Sequence, residues 1–251
     1  MTFSYNAVWE DTGRLLKAHG ALLAAIAGVF VFLPTLLVGH FFPPPEPPEG
    51  MAIEEYFRIF LAYMKANAIW FVLQSFVIMA GTAAMLRLAL APRVTVGAAL
   101  TFGVMLLPVY SILAVLTNVI VLLGALLLIV PGLYLWGRVL PAGPAMVAED
   151  RRNPIDALKR GFALSQGRGW AILGLLLLVM IPGGILIWVI EQLAGILFIL
   201  AAGQETGLLL TAIVYCALNA IFAIVLTMLS AAIYRALAAP EAKAPDLTKA
   251  G

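Results

Sequence analysis

Apolar residues fall in long unbroken blocks, and the polar positions between them mark segment ends rather than a strand-like alternation. The hydrocarbon core of a bilayer is about 30 Å thick and takes about 20 apolar residues as a helix. Blocks of that length cover 20–42, 67–85, 97–117, 119–140, 170–189 and 208–234. The third and fourth come from one stretch, because 44 residues without a charge separate Arg93 from Arg138. A single helix of that length would be about twice the membrane thickness at 1.5 Å per residue. A turn is therefore expected inside it, at Thr117-Asn118 or at Gly124. Lipid offers open backbone no partner, so every block is predicted to be helical.

The segments between blocks have patterns of their own. Met51 to Lys65 carries an apolar stripe at Ile53, Phe57, Phe60, Leu61 and Met64. It reads either as an amphipathic surface helix or as an extension of the second span. Gln192 to Gly203 is apolar but short, and fits an interfacial segment or the end of the fifth span. Over 153–166, Asn153 stands as an N-cap, Pro154 at the first helical position and Asp156 in the first turn. Ile155, Leu158, Phe162 and Ser165 share a face, which predicts an interfacial amphipathic helix. Residues 1–237 form one domain, and 238–251, with Pro240 and Pro245, read as a short tail.

Composition agrees with this picture. Hydrophobic residues make up 63% of the 251 and charged residues 11%, with a mean hydropathy of +1.05. Too few charges are present to cover a water-soluble fold. The net charge of +2 gives no footprint for nucleic acid, and the single Cys216 excludes a disulfide framework. The sparse charges are sorted. With a cytoplasmic N-terminus and six spans, thirteen of the fifteen Lys and Arg fall on the cytoplasmic side, and only Arg58 and Lys65 outside. That is the positive-inside pattern of an inner-membrane protein with both termini in the cytoplasm. The expected fold is an all-α polytopic bundle of six transmembrane helices with a cytoplasmic interfacial helix.

One stretch carries a recognisable order. Ile129-Val130-Pro131-Gly132-Leu133-Tyr134-Leu135-Trp136-Gly137-Arg138 leads to Pro144-Ala145-Met146-Val147-Ala148-Glu149-Asp150, then to Pro154 through Ser165 and Gly169-Trp170. This order resembles the membrane domain family of glycerophosphoryl diester phosphodiesterases and the related UPF0259 inner-membrane proteins. The resemblance implies a bacterial membrane module without the soluble catalytic domain. It carries over no catalytic residue, since the histidines and acidic ligands of that chemistry have no counterparts beyond the isolated His19 and His40.

Candidate chemistry is correspondingly thin. No HExxH, CxxC or phosphate loop occurs, so no cofactor or metal is expected, and the chain reads as a non-enzyme. Glu149, Asp150 and Asp156 have Arg151, Arg152, Lys159 and Arg160 beside them as pairing partners. Arg151, Arg152, Lys159, Arg160 and Arg168 form the candidate contact for anionic lipid, each basic group contributing about 1 kcal/mol near such a surface. Gln74 and Asn219 are the candidate pair for a polar contact inside the bundle. Pro34, Pro108, Pro131 and Pro182 fall within spans, and Pro131-Gly132 and Pro182-Gly183 are the candidate helix breaks. Ala80 and Ala84, and Gly20, Ala24 and Gly28, are spaced for close helix approach. The expected role is a lipid-interacting or partner-assembling module, binding membrane lipids, another membrane protein or a second copy. The alternative is a transporter or channel for a small or lipid-like solute.

Overall fold

A computed structural model describes residues 3–45, 50–91 and 93–242, with side chains described as far as 239. Glu46, Glu49 and the tail residues from 243 onward lie outside the described residues. The described chain is helical. α1 (Tyr5–Ala27) passes through a π-helical turn, Gly28–Phe32, into α2 (Leu33–Phe41). There follow α3 (Ile53–Ala66), α4 (Ala68–Leu90), α5 (Val96–Leu127), α6 (Ile129–Val139), α7 (Ala142–Ala148), α8 (Pro154–Leu164), α9 (Gly169–Ala202) and α10 (Gln204–Ala242). Five helical units are long and apolar enough to cross a membrane: Tyr5–Phe41, Ala68–Leu90, Val96–Leu127, Gly169–Ala202 and Gln204–Ala239. The chain is an all-helical membrane protein.

Several boundaries differ from expectation, each for a local reason. Pro34 does not interrupt the first unit. The helix widens one turn earlier, where the Leu33 N–H reaches back five residues to the Gly28 carbonyl. α3 is a helix of its own, joined to α4 through Asn67, whose side chain donates to the Tyr63 carbonyl at 3.0 Å. α5 runs straight through Thr117 and Asn118, because both side chains donate to the Ala114 carbonyl, at 2.9 and 2.7 Å. Their polarity is satisfied on the helix itself, and no surface turn is needed. The break falls at Leu128, in extended conformation. Pro131 then occupies the first turn of α6, where a missing N–H costs nothing. Pro131-Gly132 is thus a helix start. A Cβ on Gly132 would lie 2.7 Å from the Ala125 Cα, so the glycine permits the close return of α6 along α5.

α6 has 11 residues, about 16 Å of helix and half the hydrocarbon thickness. It is not a span by itself. α9 continues unbroken through Pro182 and Gly183 to Ala202, beyond the expected end at 189. Gly183 serves packing, with the Phe222 ring where a Cβ would stand. Gly203, at φ 80°, turns the chain directly into α10, which begins at Gln204 and continues through Ala242.

The fully buried large side chains include Leu23 of α1, Met85 and Leu86 of α4, Met146 of α7, Ile172 of α9, and Met228, Leu229 and Ile233 of α10. Polar contacts gather the helix ends beside this core. Arg235 meets Asp11 at 3.4 Å, Arg87 donates to the Val147 carbonyl at 3.2 Å, and the Tyr234 hydroxyl donates to Glu149 at 3.0 Å. The start of α1 and the ends of α4, α7 and α10 therefore share one end, here the basic end. The return from the tip of α5 to Glu149 is made by α6 and α7 in sequence. The α5–α6 tip is strongly apolar and open, with Leu126, Leu127, Leu128, Ile129 and Val130 between 58% and 79% exposed.

Candidate functional site

The segment bearing the recognisable order builds a polar clasp at the basic end. Asn153 caps α8, its side chain accepting from the Ile155 N–H at 2.9 Å, and Pro154 opens the helix. The buried face of α8 is Ala157, Gly161 and Leu164. A Cβ on Gly161 would approach the Ala142 Cβ at 2.8 Å, so α8 lies against α7 through small residues. The expected apolar stripe is split by this packing: Ser165 is completely buried while Ile155 is exposed.

Arg138 ties α6 to α8. Its Nε donates to Ser165 Oγ at 2.9 Å, Nη2 to the Phe162 carbonyl at 2.7 Å and Nη1 to the Tyr134 hydroxyl at 3.2 Å. Glu149 is the second tie. It accepts from Arg151 at 2.6 Å, Arg160 at 2.9 Å and Tyr234 at 3.0 Å. Burial pushes the Glu149 carboxyl up, but the hydrogen bonds from Arg160, Arg151 and Tyr234 outweigh this and hold it below the usual carboxylate range. A carboxyl lowered on folding stabilises the fold above its unfolded value and loses that contribution as pH falls through its folded one. Glu149→Gln is therefore expected to melt at lower temperature than the parent at neutral pH. The gap should close as pH drops below the ordinary value of 4.5, in melting curves recorded in detergent. A gap independent of pH would contradict the assignment.

Of the five basic residues expected to contact anionic lipid, Arg151, Arg152 and Arg160 form ion pairs within the protein. Arg151 and Arg160 hold Glu149, and Arg152 pairs with Asp150 at 2.9 Å while lying over the Phe102 ring. Lys159 is exposed, and Arg168 is half-buried where α8 gives way to α9. Gln74 and Asn219 do not meet. Gln74 donates to Thr35 Oγ1 at 3.3 Å, joining α4 to α2, and Asn219 donates to the Tyr215 carbonyl of its own helix at 3.0 Å.

The arrangement with room for a ligand lies elsewhere. A cleft of about 540 Å³ opens between α4, α5, α6, α7 and α10. Leu86, Leu113, Val121, Val139 and Leu226 make much of its wall. Thr82, Thr117, Asn118, Thr227 and Ser230 also line it, and each donates to a carbonyl of its own helix. Their oxygens remain as acceptors. Two lining donors differ: the Tyr110 O–H, beside Gly143, and the Trp136 N–H make no hydrogen bond among the described residues. An apolar slot with two such donors suits an amphiphile bearing acceptor oxygens, such as an ester-linked lipid. Among the described residues no group of three or more His, Cys, Asp or Glu converges as a metal site.

Tyr110 and Ser230 were not singled out from the sequence, and Asn118 only as a turn. A signal was present. Tyr110, Leu113, Ala114, Thr117, Asn118 and Val121 recur at helical spacing and mark one face of α5 inside the charge-free stretch.

Residues 51–237 match a family described as Domain of unknown function (DUF7847). No curated protein and no solved structure matches.

Proposed function

The chain belongs to the family of that domain of unknown function, DUF7847, and from this premise and the cleft we propose that it is a non-catalytic membrane module that holds a lipid-like molecule. The observation that carries the reading is the cleft, with apolar walls and the Tyr110 and Trp136 donors, which make no hydrogen bond among the described residues. We read α6 and α7 together as a broken sixth crossing in an inner membrane, with both termini in the cytoplasm. The sorting of the basic residues supports this, as does the contact of Arg235 with Asp11. On this reading the exposed apolar tip around Leu128 lies at the outer interface, and α8 lies at the inner surface. The resemblance over Ile129 to Trp170 fits a shared membrane module, since Gly132, Arg138, Glu149, Gly161 and Ser165 within it all have packing or clasp roles.

The alternative, a transporter or channel for a lipid-like solute, draws on the same neutral polar lining. Neither Gln74 nor Asn219 lines the cleft, and this favours retention over passage. Gentle purification followed by mass spectrometry of the co-purified lipids tests the proposal. The parent protein is expected to retain lipid. Tyr110→Phe keeps the shape but removes a donor, and should weaken retention about two- to tenfold, the range for one hydrogen bond. Ser230→Leu should reduce occupancy further by filling the cleft. A parent protein that carries no lipid, or equal retention in all three proteins, would overturn the reading.

A further inference from the structure

A second recess lies at the basic end, and its charge sets it apart from the cleft. It is a groove of about 670 Å³ between the start of α1, the end of α4 with the turn that follows, the end of α7 and the end of α10. Arg14, Arg93 and Arg235 line it, together with His19. Asp11 is the acidic residue in its lining, and its two carboxylate oxygens are already shared between Arg14, at 3.1 Å, and Arg235, at 3.4 Å. Arg14 and Arg235, far apart in the chain, thus share one carboxylate, and Arg93 from a third part of the chain lines the same groove. Arg14 and Arg235 keep 71% and 48% of their side chains exposed despite that pairing. Arg93 reaches the groove from a left-handed backbone, φ 56°, a conformation costly for a residue with a Cβ. Leu15, Leu88 and Leu90 supply apolar surface beside the charges.

Three arginines against the single carboxylate of Asp11 leave the recess with an excess of positive charge, and such a recess concentrates counter-ions. Guanidinium groups are suited to phosphate oxygens, which they meet in paired hydrogen bonds. We propose that this groove binds a phosphate-bearing anionic group, carried on a lipid headgroup or free in solution, through Arg14, Arg93 and Arg235. The site is separate from the basic loop, where Arg151, Arg152 and Arg160 are engaged with Glu149 and Asp150. It also shares no lining residue with the cleft, so it does not depend on the reading of that cleft.

The test uses the full chain in neutral detergent and reads the melting temperature during titration. One arm adds phosphatidylglycerol, a second phosphatidylcholine and a third inorganic phosphate. Phosphatidylglycerol is expected to raise the melting temperature more than phosphatidylcholine, which can enter the cleft but brings no net charge to the groove. An equal rise with inorganic phosphate assigns the site to a soluble phosphate. Arg14→Gln with Arg93→Gln leaves the Arg235–Asp11 pair in place. This double variant should weaken apparent affinity roughly fivefold per arginine removed. Lys159→Gln should retain the parent affinity, and the phosphatidylcholine arm reads the cleft alone, which separates failure of the cleft from failure of the groove. The proposal is overturned if neither phosphatidylglycerol nor phosphate shifts the parent, if phosphatidylcholine shifts it equally, or if the double variant keeps the parent affinity. Equal loss in Lys159→Gln would also overturn it, by pointing to unspecific surface charge.

Discussion

Gly103→Ala is expected to lower the melting temperature of the purified protein by about 5–10 °C, corresponding to about 2–3 kcal/mol of overpacking in a chain of this size. α4 and α5 meet at this residue backbone to backbone. A Cβ on Gly103 would stand 2.5 Å from the Ala80 carbonyl oxygen and 3.2 Å from the Ala84 nitrogen. Neither neighbour is the movable end of a flexible side chain, so the two helices must separate along their contact. Separation would open the packing around Leu86 and Leu106, which are fully buried. The control is Gly97→Ala in the first turn of the same helix, where a Cβ meets nothing within 4 Å. There the higher helix propensity of alanine should leave stability unchanged or slightly raised. Equal effects of the two substitutions would show that the close approach has no energetic weight.

The small-residue spacing of Ala80 and Ala84 was legible in the sequence, and the structure gives it a partner in Gly103. The same spacing at Gly20 and Gly28 faces open space within the chain, so spacing alone did not reveal which surface packs. The helices were legible as apolar blocks because a bilayer-length run without charge has few other folded forms. Their ends were less so. The break at Leu128 carries no polar or glycine residue. It becomes intelligible only through Pro131, whose missing N–H is absorbed in the first turn of a new helix. Gly203 makes the α9–α10 turn by a positive φ just before the polar Gln204-Glu205-Thr206, so the turn itself was marked in the sequence while its tightness was not. At the basic end, the sequence showed that acids and bases lie near one another. It could not show that Glu149 collects Arg151, Arg160 and the distant Tyr234, or that Arg93 lines the same groove as Arg14 and Arg235. Those groupings follow from how α1, α7 and α10 pack at their ends. The Asn153-Pro154 start of α8 was readable because capping is local. Its orientation was not, because Gly161 against Ala142 decided which face turned inward.

Arg138→Met should cost about 3 kcal/mol, since hydrogen bonds donated by a charged group contribute about 1.5–3 kcal/mol each and do not add fully. Methionine retains much of the aliphatic stem, so the loss isolates the guanidinium. Three groups on two helices lose a donor: Ser165 Oγ, the Phe162 carbonyl and the Tyr134 hydroxyl. Ser165 is completely buried, although its own hydroxyl still donates to nearby carbonyls. The Arg138 stem also lies against Gly169, where a Cβ would come 2.7 Å from the Arg138 Cδ, so the clasp reaches the start of α9 as well. Arg138→Lys discriminates charge from geometry. Lysine restores the positive charge but cannot place donors in the fixed fork that reaches Ser165 and Phe162 together. It should recover less than half of the lost melting temperature. Full recovery by lysine would mean that charge alone acts at this position, as a topology signal would require, and that the clasp contributes little. The same variants should leave lipid retention per folded molecule unchanged, because Arg138 does not line the cleft. A loss of retention without a loss of stability would place Arg138 in ligand contact and contradict its role as a clasp.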